Sequence, residues 1–118
     1  MFFIICLSSF QLSQDSNHLV PDYVSGGARF GDAAASSALA AVAFRSAVLD
    51  ERTFGGNYTK AATNIMNSVL GSLDDLGILK PVANPLSWQT VSILSTEGQS
   101  FGLMMLAAHR DWHNTLNN

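Results

Sequence analysis

The sequence predicts an all-α fold of about three helices joined by irregular loops, with inner and outer helices alternating as in a double-walled α-toroid. Three observations carry this expectation. Residues 32–49 are small or apolar, and Arg45 is the only charge after Asp32. Residues 58–73 repeat apolar side chains every three to four positions, the pattern of a helix with one wet side. Residues 101–108 hold Phe101, Leu103, Met104, Met105, Leu106, Ala107 and Ala108. At about 100° per residue these occupy nearly the whole circumference of a helix, whereas a surface helix needs one apolar stripe.

Composition sets the bounds. The 118 residues suffice for one domain at most. Hydrophobic residues make up 47% and charged residues 13%, well under the usual quarter. This argues against disorder and suggests surface that expects a cover. The net charge is −3, and the six basic residues Arg29, Arg45, Arg52, Lys60, Lys80 and Arg110 are scattered, so nucleic acid is not an expected partner. Cys6 is the sole cysteine, which excludes an internal disulfide and a cysteine-based zinc site.

The elements follow in order. Residues 1–24 read as an apolar stub and linker, and 25–118 as the folded part. The start, MFFIICLSSF, is too short to span a bilayer. One reading is the hydrophobic stretch of a secretory signal, although no Lys or Arg follows Met1 and no clear A-x-A site is present. On that reading the chain is secreted, and Asn57-Tyr58-Thr59 is a usable glycosylation sequon. Location is otherwise not legible. Pro21, Gly26, Gly27 and Gly31 break periodicity before the first helix. Asp32 is a plausible N-cap, its carboxylate at the positive end of the helix dipole. The small residues Ala33–Ala38 allow close approach of another backbone. Residues 50–56 are expected to be a turn. A second helix is expected over 58–73, stopped by Gly77. Pro81 and Pro85 keep residues 74–94 non-helical, with a weak signal for β-pairing around 78–82. Thr96 is expected to open the last helix, with Gln99 at capping-box spacing.

Three segments, GDAAASSALAAVAFRSAVLD, YTKAATNIMNSVLGSLDDLGILKPV and STEGQSFGLMMLAAHRDW, together resemble the C-terminal part of the six-hairpin glycosidases. The nearest likeness is to the unsaturated rhamnogalacturonyl and unsaturated glucuronyl hydrolases of fungal type. The resemblance covers roughly residues 25–113 and rests on order and spacing. It implies an (α/α)6 barrel, of which three helices are about the last quarter. It also implies a glycoside hydrolase acting on oligosaccharides that end in an unsaturated uronic acid. In that family an aspartate in the middle of the full barrel protonates the enol-ether double bond and water then adds. No segment here matches that region. The catalytic residue is therefore not assigned, and the chain alone is expected to be inactive. No cofactor is implied, and an oligosaccharide is a partner only in a full-length context.

In such barrels the loops before inner helices face the cleft. Candidate substrate contacts are therefore Asp32, Ser95, Thr96, Glu97, Gln99 and, from the proline-rich loop, Trp88. Each has a structural alternative. Asp32, Thr96 and Gln99 are placed to cap helices, Glu97 to complement a dipole, Ser95 to sit in a solvated loop, and Trp88 to pack. Ser36 reads as a packing position. His109 and His113 share a helix face at a spacing that can bind metal, with Asp111 or His18 as the third ligand. No HExxH context supports this, so a solvated helix end is expected and no metal is assigned. Asp74 and Asp75 read as a solvated turn, and Trp112 as core. Isolated from a ring, apolar flanks of this kind mark association. The alternative function is thus a small helical interaction module that self-associates or pairs with a partner.

Overall fold

The computed structural model describes residues 18–22 and 30–118. The chain forms α1 (Ala33–Leu49), α2 (Glu51–Phe54), α3 (Asn57–Gly71), β1 (Val82–Asn84), β2 (Ser87–Ser92) and α4 (Thr96–Leu116). It is a mostly helical small domain. The all-α expectation is corrected by the antiparallel hairpin β1–β2, in which Val82 pairs with Ser92 and Ala83 with Val91. The linker boundary at residues 24 and 25, the apolar start and Cys6 lie outside the described residues.

α1 is the central rod. Its buried residues include Ala33, Ala40, Ala41, Ala43, Phe44 and Ala47, with Ser36, Ser37 and Ser46 among them. Buried hydroxyls must be satisfied. Each of these serines donates to the carbonyl four residues back: Ser36 to Asp32 O (2.6 Å), Ser37 to Ala33 O (2.8 Å) and Ser46 to Val42 O (2.7 Å). Ser36 Oγ also accepts from Val20 N at 2.8 Å, tying the incoming segment to the helix. Small side chains thus let neighbours approach on opposite sides without leaving polar atoms unpaired.

α1 and α4 run parallel. Near their starts both touch β1: Asp32 Oδ1 accepts from Ala83 N at 3.1 Å, and a Cβ added at Gly98 would lie 3.2 Å from Val82 Cγ1. Further along, Arg45 Nη1 meets Asp111 Oδ2 at 2.7 Å, and Phe44 stacks on Trp112 with ring centroids 5.3 Å apart. α3 runs the other way, because its last residues, Val69 and Leu70, face Gln99 and Leu103 near the start of α4. α3 buries Ala62, Ile65, Met66 and Val69, the expected face, and leaves Lys60 and Asn67 in water.

Several expectations are revised. Residues 50–56 are not a plain turn. Asp50 accepts from Thr53 N at 3.1 Å and caps the one-turn helix α2. α3 ends at Gly71 with Ser72 as its C-cap, before Gly77. Gly77, at φ 74°, instead closes the following turn, and its N–H bonds Asp74 O at 2.8 Å. That turn is organised by Asp74, whose Oδ1 accepts from Leu76 N and Ile78 N and whose Oδ2 accepts from Lys80 Nζ at 2.8 Å. Lys80 and then the Ile78 amide hold the Asp74 carboxyl below the usual carboxylate range. Pairing begins at Val82 rather than at 78. Ser95, not Thr96, caps α4, accepting from Gly98 N at 2.9 Å.

The largest revision concerns α4. The sequence predicts a helix buried all round. Only Gly98, Met105 and Ala108 are buried. Leu103 is 70% exposed and Met104 58%. One side of the helix packs on α1, and the rest of its apolar circumference is open.

Candidate functional site

Of the six predicted contacts, Asp32, Ser95, Thr96, Glu97 and Gln99 lie at the end of the molecule where α1 and α4 begin. Most of them hold the fold there. Asp32 is buried. Its Oδ1 accepts from Ala34 N (3.3 Å) and Ala83 N (3.1 Å), and its Oδ2 from Ala35 N (3.1 Å). It is therefore the N-cap and also the clamp that fixes β1 over the helix start. Gln99 is not part of a capping box. Its Oε1 accepts from Leu79 N at 2.6 Å and its Nε2 donates to Gly77 O at 3.1 Å, so it pins the 77–79 loop to α4. Ser36 is held by the two bonds already described.

Ser95, Thr96 and Glu97 form the outward lip. The Ser95 and Thr96 hydroxyls donate to Glu97 Oε2 at 3.3 and 3.2 Å. The Glu97 backbone amide first, then those two hydroxyls, hold the Glu97 carboxyl below its ordinary value. Glu97 is thus an exposed anion over the first turn of α4, suited to accept hydrogen bonds from hydroxyl groups. A carboxyl held low is a poor proton donor near neutral pH. Trp88 lies on β2, and its side chain falls outside the described residues.

The far ends of the same helices carry a cluster the sequence reading did not assemble. Phe44 is fully buried and meets His109 edge-on at 5.0 Å and Trp112 face-on at 5.3 Å. Trp112 Nε1 donates to Glu51 Oε2 at 2.9 Å, which ties α4 to α2. Trp112 is therefore part-buried packing, not sealed core. His109 and His113 have ring centroids 6.2 Å apart. Asp111 is taken by Arg45 and Arg110. No group of three or more His, Cys, Asp or Glu able to hold a metal occurs among the described residues.

Desolvation first, and the neighbouring His113 second, push the His109 imidazole below its ordinary pKa. The folded state therefore favours neutral His109. Its contribution is complete above the ordinary value of about 6.5 and is lost as pH falls through the folded pKa. We expect the urea midpoint to be flat from pH 8 to 7 and to decline below about pH 6.5, ahead of the carboxylate-linked loss below about pH 4. In His109→Gln the first decline should vanish and the second remain. A wild-type midpoint that stays flat down to pH 5 contradicts this assignment.

Two apolar grooves flank α4. The larger, of about 410 Å³, lies between α1 and α4 and is lined by Val42, Leu49, Phe101, Met104 and Ala107, with Arg45 at its edge. The smaller, of about 160 Å³, lies between α3 and α4 beside Val69, Leu73, Leu79 and Leu103. No described helix is long and apolar enough to cross a membrane.

The chain matches no protein-family model, no curated protein and no solved structure.

Proposed function

We propose that this chain is the C-terminal part of a double-walled α-toroid of glycoside-hydrolase type, related to the unsaturated rhamnogalacturonyl and glucuronyl hydrolases. In that setting it completes the wall and part of the rim of a cleft for oligosaccharides ending in an unsaturated uronic acid. It does not carry the proton-donating acid.

The supporting observation is the relation of the helices. α1 and α4 are parallel neighbours, the intervening α3 is antiparallel with one wet face, and α4 keeps apolar side chains open to solvent. Adjacent inner helices of such a ring are parallel and are linked through an antiparallel outer helix. The last inner helix then needs a further neighbour, which accounts for Leu103 standing 70% exposed. Glu97, at the start of α4, is the rim residue left free to meet hydroxyl groups.

The test has two arms. The purified chain, offered an unsaturated disaccharide, should leave the ultraviolet absorbance of its double bond unchanged. It should also bind a hydrophobic dye through the open flank. Joined to helical hairpins encoded upstream in the same frame, it should lose that dye binding and gain turnover. A monomer that melts cooperatively, binds no dye and gains nothing from upstream sequence would overturn the reading.

The groove between α1 and α4 favours a second reading, a self-associating helical module. Its occupant would be a second copy meeting the Val42–Met104 surface. A discrete dimer by sedimentation, dissociated by Met104→Glu, would favour this over the toroid.

A further inference from the structure

We infer that Asn57 is an acceptor for an N-linked glycan, carried on the wet face of α3. Asn57-Tyr58-Thr59 is the only N-x-S/T sequence in the 118 residues, and its middle residue is not proline. The structure adds three independent facts. Asn57 is the first residue of α3 and is exposed. Its side-chain amide makes no hydrogen bond among the described residues, so substitution on that nitrogen breaks nothing. It also shares a face with Lys60, Asn64, Asn67 and Gly71, an arc of about 80° at about 100° per residue, on which no residue is buried. A bulky polar chain leaving Asn57 therefore runs into solvent, away from Ala62, Ile65 and Val69, which face the core.

The approach to the site suits modification before folding. Gly55 and Gly56 precede it, Gly56 at φ 56°, and no side chain caps the helix there. Before folding, the glycine-flanked acceptor is an extended segment of the kind the transferase binds. In the reaction the Asn57 side-chain nitrogen attacks C1 of a lipid-linked oligosaccharide diphosphate. The new N–C1 bond replaces the C1–O bond to the diphosphate, the lipid diphosphate leaves, and the nitrogen gives one proton to the transferase. The Thr59 hydroxyl completes the acceptor in the extended chain. After folding it is buried and donates to Gly56 O at 3.1 Å. The same hydroxyl therefore serves recognition first and the helix start afterwards.

This inference does not depend on the toroid reading, since the glycan would sit on the outer side in either assembly. The test is translation of the full chain behind a cleavable secretory leader in the presence of microsomes. A second sequon appended after Asn118 marks the molecules that reached the lumen, and only those are scored. They should carry two glycans. Peptide N-glycosidase should remove both and convert the Asn57 amide to a carboxyl, read by peptide mass. Asn57→Gln and Thr59→Ala should each leave one glycan, and Thr59→Ser should keep two. Lumenal molecules modified at the appended sequon alone would overturn the proposal. So would two glycans persisting in Asn57→Gln.

Discussion

Phe44→Ala is expected to lower the free energy of unfolding by about 3–5 kcal/mol, the usual range for deleting a fully buried phenylalanine. The ring is 0% exposed and holds together two helices that are far apart in sequence. Its loss removes the face on which Trp112 stacks and the edge that orders His109. Trp112 would keep its tilted contact with His109, ring centroids 5.9 Å apart, and its hydrogen bond to Glu51. That bond lies in an exposed setting and contributes little by itself. The tryptophan emission should therefore shift to the red along with the fall in urea midpoint. Leu103→Ala is the internal control. It removes an apolar side chain of similar hydrophobicity from α4, but one that is 70% exposed, and should change stability by less than about 0.5 kcal/mol. Equal losses at the two positions would mean that the open flank of α4 is covered in solution. That outcome would redirect attention to self-association.

The contrast between those two positions also shows what the sequence discloses. α1 was legible because small residues without charge can only be a rod packed on more than one side, and Asp32 precedes them at the place for a cap. α3 was legible because its apolar spacing is one-sided, which fixes both the helix and its buried face. α4 was legible as a helix but not in its burial. Apolar residues all round state what the helix is built to contact, not whether the contacting surface lies within the same 118 residues. The short helix α2 has a local signal, since Asp50 lies three residues before Thr53 and its carboxylate accepts from the Thr53 amide as a cap. Ser95 and Thr96 are adjacent hydroxyl residues, and either can begin a helix. Ser95 is the one whose hydroxyl accepts from Gly98 N, at a helix start that lies close against Val82, a long-range neighbour. For the same reason Gln99 sits at capping-box spacing yet reaches Leu79 and Gly77, some twenty residues back. The sequence placed the candidate contacts Asp32 and Ser95 to Gln99 beside the starts of two helices, and α1 and α4 begin there. The division of labour among them was not legible, because it depends on where the 77–84 segment crosses. Once that segment is in place, Asp32 and Gln99 are committed to backbone amides, and Glu97 keeps an open carboxylate.

Asp32 offers the sharpest separation of structural from ligand-binding roles. Asp32→Ala removes an N-cap, which alone costs about 1 kcal/mol. It also strands the Ala83 amide beneath the hairpin, and an unsatisfied amide costs about 1–3 kcal/mol more. The expected total is about 2–4 kcal/mol. In Asp32→Asn the Oδ1 remains for Ala34 and Ala83, but an NH₂ faces the Ala35 amide in place of Oδ2, donor against donor. The loss should then be about 1 kcal/mol. The order alanine worse than asparagine worse than wild type, together with faster hydrogen exchange at Ala83 in the alanine variant only, is what a clamp between α1 and β1 requires. A residue whose main task is to meet sugar would behave differently. Its replacement would leave the urea midpoint and the Ala83 amide unchanged, and would alter only ligand binding. Because all three acceptor contacts of the carboxylate are already filled by backbone N–H groups, the stability experiment on the chain alone decides between the two roles before any substrate is needed.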